Sequence, residues 1–160
     1  MIRFARIQTP LGALLATTDG RSLTGLYFEG GRHAPSVSPS WIEDPACPPL
    51  VECAAQIAGY LDGQRKDFDV RMAAAGTPFQ QRVWREIAAI PFGKTISYAE
   101  LAKRAGSPGS ARAAGAATGR NPLSIIVPCH RVVGTSGRLT GYAGGLERKA
   151  HLLRLEGIAS

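Results

Sequence analysis

What this 160-residue chain has little of limits it before anything it contains. No apolar run approaches the roughly 20 residues that a helix needs to cross a bilayer. The opening Met1-Ile2-Arg3-Phe4-Ala5-Arg6-Ile7 has no apolar core of a secretion signal, so a soluble, cytoplasmic protein away from membranes is expected. There are only three cysteines, Cys47, Cys53 and Cys129, an odd number without metal-ligand spacing. That excludes a disulfide framework and a zinc site. The glycine-rich residues 134–145 have no lysine and serine at the spacing of a phosphate loop and are no nucleotide cradle. Acidic residues are scarce in one half only. Residues 1–75 hold seven Lys/Arg against eight Asp/Glu, whereas residues 76–160 hold twelve against four. A basic half of this kind suggests a polyanionic partner, most often nucleic acid, although a solubilising surface has the same composition.

What is present divides in the same way. Three β-type runs, residues 2–9, 13–18 and 23–28, are separated by Pro10-Leu11-Gly12 and Asp19-Gly20-Arg21, which predicts an antiparallel meander. Residues 29–49 have no period and read as a surface loop, pinned by Trp41. Leu50, Ala54, Ile57, Ala58 and Leu61 recur at helical spacing and predict a helix covering the sheet, ended by Asp62-Gly63. Cys47 and Cys53 fall in a Pro-rich loop and on the helix flank. A short strand over residues 68–70 and a small-residue linker, Ala73-Ala74-Ala75-Gly76, close a first domain, residues 1–76, with a structural role.

The second domain, residues 77–160, is expected to be mostly helical, which makes the chain α+β. Thr77-Pro78-Phe79-Gln80 is a capping box with proline in the first turn, and Phe79, Val83, Ile87 and Ile90 form its stripe. Ser97-Tyr98-Ala99-Glu100 is a second capping box, whose helix Gly106 stops. Ser107-Pro108 opens a third helix to about Thr118, giving a helix-turn-helix. On that helix Ser110, Ala111, Ala113, Ala114, Gly115, Ala116 and Ala117 are all small and Arg112 alone projects. Such a face either packs on another helix or enters the minor groove, about 6 Å wide. Residues 123–127 read as a buried strand.

Pro128-Cys129-His130 follows, one thiol beside one imidazole between apolar runs. A cysteine in this position is either a small buried hydrophobe or a nucleophile tuned by its neighbour. The last helix, to Glu156, buries Leu146, Leu152 and Leu153, and at 100° per residue Glu156 falls on that same face. A carboxylate there needs a partner. It is either His130, completing a Cys-His-Glu relay, or an Arg or Lys near the helix end.

The run Ile126-Val127-Pro128-Cys129-His130-Arg131-Val132, with Gly119-Arg120-Asn121-Pro122 before it and Tyr142-Ala143-Gly144-Gly145-Leu146 after it, closely resembles the O6-alkylguanine-DNA alkyltransferases, or methylated-DNA–protein-cysteine methyltransferases. The similarity is strong from Thr77 to Gly157; the N-terminal half is compatible in layout. The resemblance implies that Cys129 accepts the alkyl group, that His130 is its base through a water and that Glu156 orients the imidazole. Asn121 matches the hinge beside the recognition helix. Tyr98 matches the phenol that assists the departing guanine and rotates the 3′ phosphate, and Arg112 the finger that replaces the flipped nucleotide. Ser97 and Ala113 beside them are carried over as DNA contacts. Tyr142, Ala143 and Gly144 match the loop over the base, with Ala143 where the family often has a serine that contacts O6.

The implied reaction is single-turnover transfer from O6 of guanine, and from O4 of thymine, in duplex DNA, with the base turned out of the stack. The protein would be a monomer off DNA. No metal and no cofactor is implied, and the N-terminal metal ligands of some relatives have no counterpart. Two readings compete: a lesion-binding protein without transfer, against which Cys129 argues, and a cysteine hydrolase using the same three residues.

Overall fold

The protein is described here by a computed structural model that covers residues 1–158. The last two residues of the expected second domain, Ala159 and Ser160, lie outside the described residues. The chain separates into two compact units, one ending at Ala74 and one beginning at Ala75. Strands and helices divide between them as an α+β protein.

In the first unit β1 (Arg3–Thr9), β2 (Gly12–Thr18) and β3 (Leu23–Phe28) form the expected antiparallel meander. The loop after it contributes a fourth strand that the sequence did not reveal. β4 (Ile42–Glu43) pairs in parallel with Arg3 and Phe4 of β1, so the sheet is mixed, in the order β3-β2-β1-β4. Two residues carry no period to read, and the pairing is made by distant backbone. Trp41 does lie beside this strand, its ring 6.2 Å from that of Phe4.

Helix α1 (Pro48–Leu61) packs on the sheet. Its buried face is Leu50, Cys53, Gln56, Ile57 and Tyr60, rotated from the one expected: Ala58 is exposed, and Cys53 lies in the core rather than on the flank. Thiol and phenol outweigh alanine here because they bury more surface. Residues 68–70 are not a strand. The Gln56 side chain takes both the Asp69 N–H and its carboxylate, and backbone pairing occurs three residues later, where Leu23 bonds Arg71 and Ala73.

In the second unit α2 (Pro78–Ala88) starts at a complete capping box, Thr77 and Gln80 satisfying each other's backbone N–H. Val83, Ile87 and Ile90 are buried, joined by Trp84, while Phe79 is half-buried. β5 (Ile96–Ser97) leads into α3 (Tyr98–Arg104). Ser97 accepts from the Glu100 N–H, but the Glu100 carboxylate pairs with Arg104 rather than closing the box. α4 (Ala111–Gly119) begins later than expected. Gly106 and Gly109 both have positive φ, 84° and 85°, so residues 105–110 make a turn in place of a first helical turn.

Two side chains of α2 seat this pair of helices. Arg82 donates to the Ala105 carbonyl at the end of α3, and the Trp84 indole N–H donates to the Ala117 carbonyl at 2.8 Å. α4 therefore turns Ala114, Ala117 and Thr118 inward and leaves Arg112, Ala113, Ala116 and Arg120 exposed.

Residues 123–127 are buried but form turns, not a strand. Ile125 has φ 71°, a conformation that costs a β-branched residue roughly 1–3 kcal/mol. The Asn121 side chain imposes it by accepting from the Leu123 N–H at 3.0 Å and donating to the Val127 carbonyl at 2.8 Å. Cys129–Arg131 is then one 3-10 turn, and β6 (Val132–Val133) pairs in parallel with β5. A second 3-10 turn, Thr135–Gly137, begins the glycine-rich loop. α5 (Leu146–Leu155) ends the unit with Glu156 as its C-cap. Leu152 and Leu153 are buried, but Leu146, in the first turn after Gly145, is 50% exposed.

Candidate active site

Cys129 sits between the Asn121 clamp and α5 and is only 5% exposed. Burial pushes its thiol above the ordinary range, because a thiolate there is stripped of water. The polar side chains of Asn121 and Tyr142 and the charge of Lys149 act the other way. The side chain is thus a thiol at rest, set among groups that favour its anion. Such a thiol needs a base at the moment of attack.

The neighbouring group able to act as one is the His130 imidazole. Its ring is fully buried, and Nε2 lies 2.8 Å from Glu156 Oε2. With that nitrogen donating to a carboxylate, the proton-accepting lone pair of the neutral ring is on Nδ1. Burial lowers the proton affinity of His130, the Glu156 carboxylate raises it, and the Arg131 and Lys149 cations lower it again.

Glu156 has the expected histidine partner and a cation besides, though not one from the helix end: the cation comes from the Cys129–Arg131 turn. Arg131 grips the carboxylate in a fork, Nε at 2.8 Å from Oε1 and Nη2 at 2.9 Å from Oε2. A fourth donor, the Gly93 N–H, reaches Oε1 at 3.0 Å. A carboxylate at a helix C-terminus meets the negative end of the dipole, and this donor set offsets it. Arg131 is itself held by the Ile90 carbonyl at 2.6 Å and lies over the Phe92 ring.

Tyr98, the first residue of α3, is half-buried, with its hydroxyl directed to the Gly141 carbonyl at 3.4 Å. Burial raises its pKa, so it is a phenol able to give a proton. Tyr142 and Ala143 are half-buried, and Gly144 is buried with its carbonyl accepting from Arg148. Cys129, His130, Glu156, Asn121, Tyr98 and Tyr142 are therefore brought to one place. Ser97 is spent on the α3 cap and on pairing with Val133, while Arg112 and Ala113 are on the exposed face of α4.

Three members of the site were missed in the sequence. Arg131 and Gly93 gave no signal beyond their neighbourhood. Lys149 of α5 gave none either, and it is fully buried. Its ammonium donates to the Val132 and Thr140 carbonyls, both at 2.7 Å, and lies 5.8 Å from the Tyr98 ring centre. It ties the glycine-rich loop to β6. Among the described residues no group of three His, Cys, Asp or Glu side chains is placed to hold a metal ion, and no helix is long and apolar enough to cross a membrane.

A buried thiol, an imidazole bonded to a carboxylate and a phenol close together are able to act as a nucleophile with its base and acid. Comparison with known proteins gives the family. Residues 78–158 match the 6-O-methylguanine DNA methyltransferase, DNA binding domain, and residues 2–74 the ribonuclease-like domain of the same name. The methylated-DNA–protein-cysteine methyltransferase of Mycobacterium tuberculosis is 46% identical over 156 residues, covering 98% of this chain and 93% of its own. That of Methanosarcina acetivorans is 44% identical, covering 96% and 97%. Among solved structures, M. tuberculosis OGT in complex with DNA superposes with a TM-score of 0.89 at 44% identity, covering 96% of this chain and 92% of that one. The chain belongs to the 6-O-methylguanine DNA methyltransferase family.

Proposed function

We propose that this protein repairs alkylated duplex DNA by direct reversal, moving the alkyl group from O6 of guanine, or O4 of thymine, to Cys129 in a single irreversible turnover. The observation that carries the reading is the buried Cys129 thiol, on the same 3-10 turn as His130, whose imidazole is bonded to the Glu156 carboxylate. Family membership points the same way.

The second unit binds the DNA and carries out the transfer; the first has a structural role. α3 and α4 act as a helix-turn-helix, the exposed Arg112, Ala113 and Ala116 of α4 facing the minor groove. Slim side chains permit that approach, and Arg112 fills the gap left by the extruded nucleotide. Extrusion costs a few kcal/mol, part of which Arg112 offsets. Ser97 and Ala113 lie along the phosphates, and Tyr142, Ala143 and Gly144 cover the base. With alanine at position 143, only the backbone N–H is left there to contact O6.

In the chemical step the Cys129 proton passes to His130 and the sulfur attacks the alkyl carbon. The S–C bond forms as the C–O6 bond breaks, and guanine leaves with its negative charge neutralised by the Tyr98 proton. His130 returns a proton to the phenolate. Thiol and phenol supply every group this needs, so no cofactor enters. The thioether has no leaving group that water can displace readily, hence one turnover. The reaction belongs to a cytoplasmic protein acting as a monomer off DNA.

The test is incubation with duplex DNA carrying a labelled O6-methylguanine. Label should pass to protein up to one equivalent. Repeated turnover would instead establish a hydrolase, and lesion binding without transfer would leave a recognition protein. Arg112→Ala should weaken binding to lesion DNA roughly tenfold or more, and undiminished base flipping in that variant would remove the finger role. Affinity should fall steeply between low and physiological salt, as phosphate contacts demand.

A further inference from the structure

The chemistry above uses Glu156 only through His130, and leaves unexplained why the carboxylate is shared with a buried arginine. Removing Arg131 from such a pair would usually be read as a loss of stability alone. The arrangement around His130 gives it a second consequence. Arg131 belongs to the same 3-10 turn as His130 and Cys129, and α5 brings Lys149 and Glu156 against them. Among the described residues those are the charged groups that face the imidazole; Tyr98 reaches the cluster through Lys149, over whose ammonium its ring lies. Two buried cations thus stand against one carboxylate, and the cluster carries one positive charge while Cys129 is a thiol and His130 neutral.

Where a proton on His130 comes from then matters. A proton from solvent would take the buried cluster from one positive charge to two, which its low-dielectric surroundings oppose. A proton from Cys129 leaves the sum at one, because the thiolate appears as the imidazolium does. Without Arg131 the cluster is neutral, and an imidazolium paired with Glu156 becomes the favoured resting state. That ring has no lone pair left to accept the thiol proton.

We propose that Arg131 is a positioning residue for the transfer reaction: by holding Glu156 in a two-point fork it leaves the buried cluster one positive charge in excess, so that His130 takes its proton from Cys129 and not from solvent. The proposal rests on the alkyl-transfer reading. The fork fixes the carboxylate on Nε2, and the Ile90 carbonyl fixes the fork. The arginine touches neither the thiol nor the base that leaves.

Single-turnover methyl transfer from duplex DNA, followed from about pH 5.5 to 9 for the wild-type protein, Arg131→Gln and Arg131→Lys, provides the test, together with nitrogen NMR of the histidine rings of the whole chain. In the wild-type protein His130 should be neutral, protonated on Nε2, at pH 7. In Arg131→Gln its titration and the acid limb of the rate profile should both move up by about one pH unit, a roughly tenfold slower transfer at pH 6 with recovery near pH 8.5. Arg131→Lys keeps the charge, so it should keep the wild-type acid limb even where the lost fork slows transfer at every pH. A merely structural arginine would lower the rate evenly without moving the limb, and that result overturns the proposal. So does an imidazolium at His130 in the wild-type protein at pH 7. Should Arg131→Gln not fold, the wild-type titration and the Arg131→Lys profile still decide. Absence of label transfer by the wild-type protein would sink the alkyl-transfer reading instead, while the ring titration judged the charge argument separately.

Discussion

Cys53 and Cys129 are both buried thiols, one in each unit, and burial pushes both above the ordinary range. Cys53 reaches about 12, with the Glu52 charge adding to desolvation. Nothing among the causes of its shift favours the anion. Around Cys129 the amide of Asn121, the hydroxyl of Tyr142 and the ammonium of Lys149 all do. Exposure therefore does not tell the two cysteines apart; their polar neighbours do. Cys53 occupies a helix position whose neighbours are core side chains, whereas Cys129 lies on a turn that exposes it to groups from four segments of chain.

The largest expected effect breaks this contrast at its centre. Cys129→Ala should abolish label transfer altogether, whereas Cys53→Ala should transfer one equivalent at the wild-type rate and lose about 1 kcal/mol of unfolding free energy. If the alanine at position 129 still accepted label, the two thiols would have been assigned the wrong way round. A smaller but still severe effect comes from Glu156→Gln. It leaves the Arg131 guanidinium buried without its counter-charge, which costs about 3–5 kcal/mol. Loss of the imidazole partner should also slow transfer by roughly 10²-fold or more. Urea unfolding and single-turnover rates on the same sample separate the two. An unchanged rate in the folded variant would show that His130 needs no oriented carboxylate.

How much of this was legible follows the range of the forces involved. Thr77 and Gln80 cap α2 through bonds three residues apart, so the sequence names that helix start correctly. Glu156 could be placed by helical phase, since one turn suffices to set its direction. Residues 123–127 could not: a short apolar run between Pro122 and Pro128 looks alike as strand or buried turn. The Asn121 side chain decides it by bonding both ends of the run. β4 and the pairing of Leu23 with residues 71 and 73 depend likewise on distant backbone. The site's key groups were recognisable by type and order; the cations that set their proton affinities were not, because a buried arginine or lysine is defined by the carbonyls and carboxylates it reaches.

Lys149 is the sharpest case of this. Burial pulls its ammonium from the ordinary 10.5 down to about 8. The unfolded chain therefore binds more protons than the folded one between roughly pH 8 and 10.5. In that window stability should rise with pH as the penalty of burying a charge is relieved; below pH 8 the penalty is present in full. Lys149→Met, which keeps the length of the side chain, removes the proton and so should remove this part of the slope. Comparing unfolding midpoints of the two proteins at about pH 7.5, 9 and 10 isolates it from every other titrating group. The same substitution frees the Val132, Thr140 and Gly141 carbonyls and loosens the loop over the base. Transfer should slow by roughly tenfold, read chiefly as weaker engagement of lesion DNA. Cys53 has no such cation, so a pH-independent difference between the variants would mean that Lys149 acts only as a tether and that the charge contrast between the two thiols is smaller than their surroundings imply.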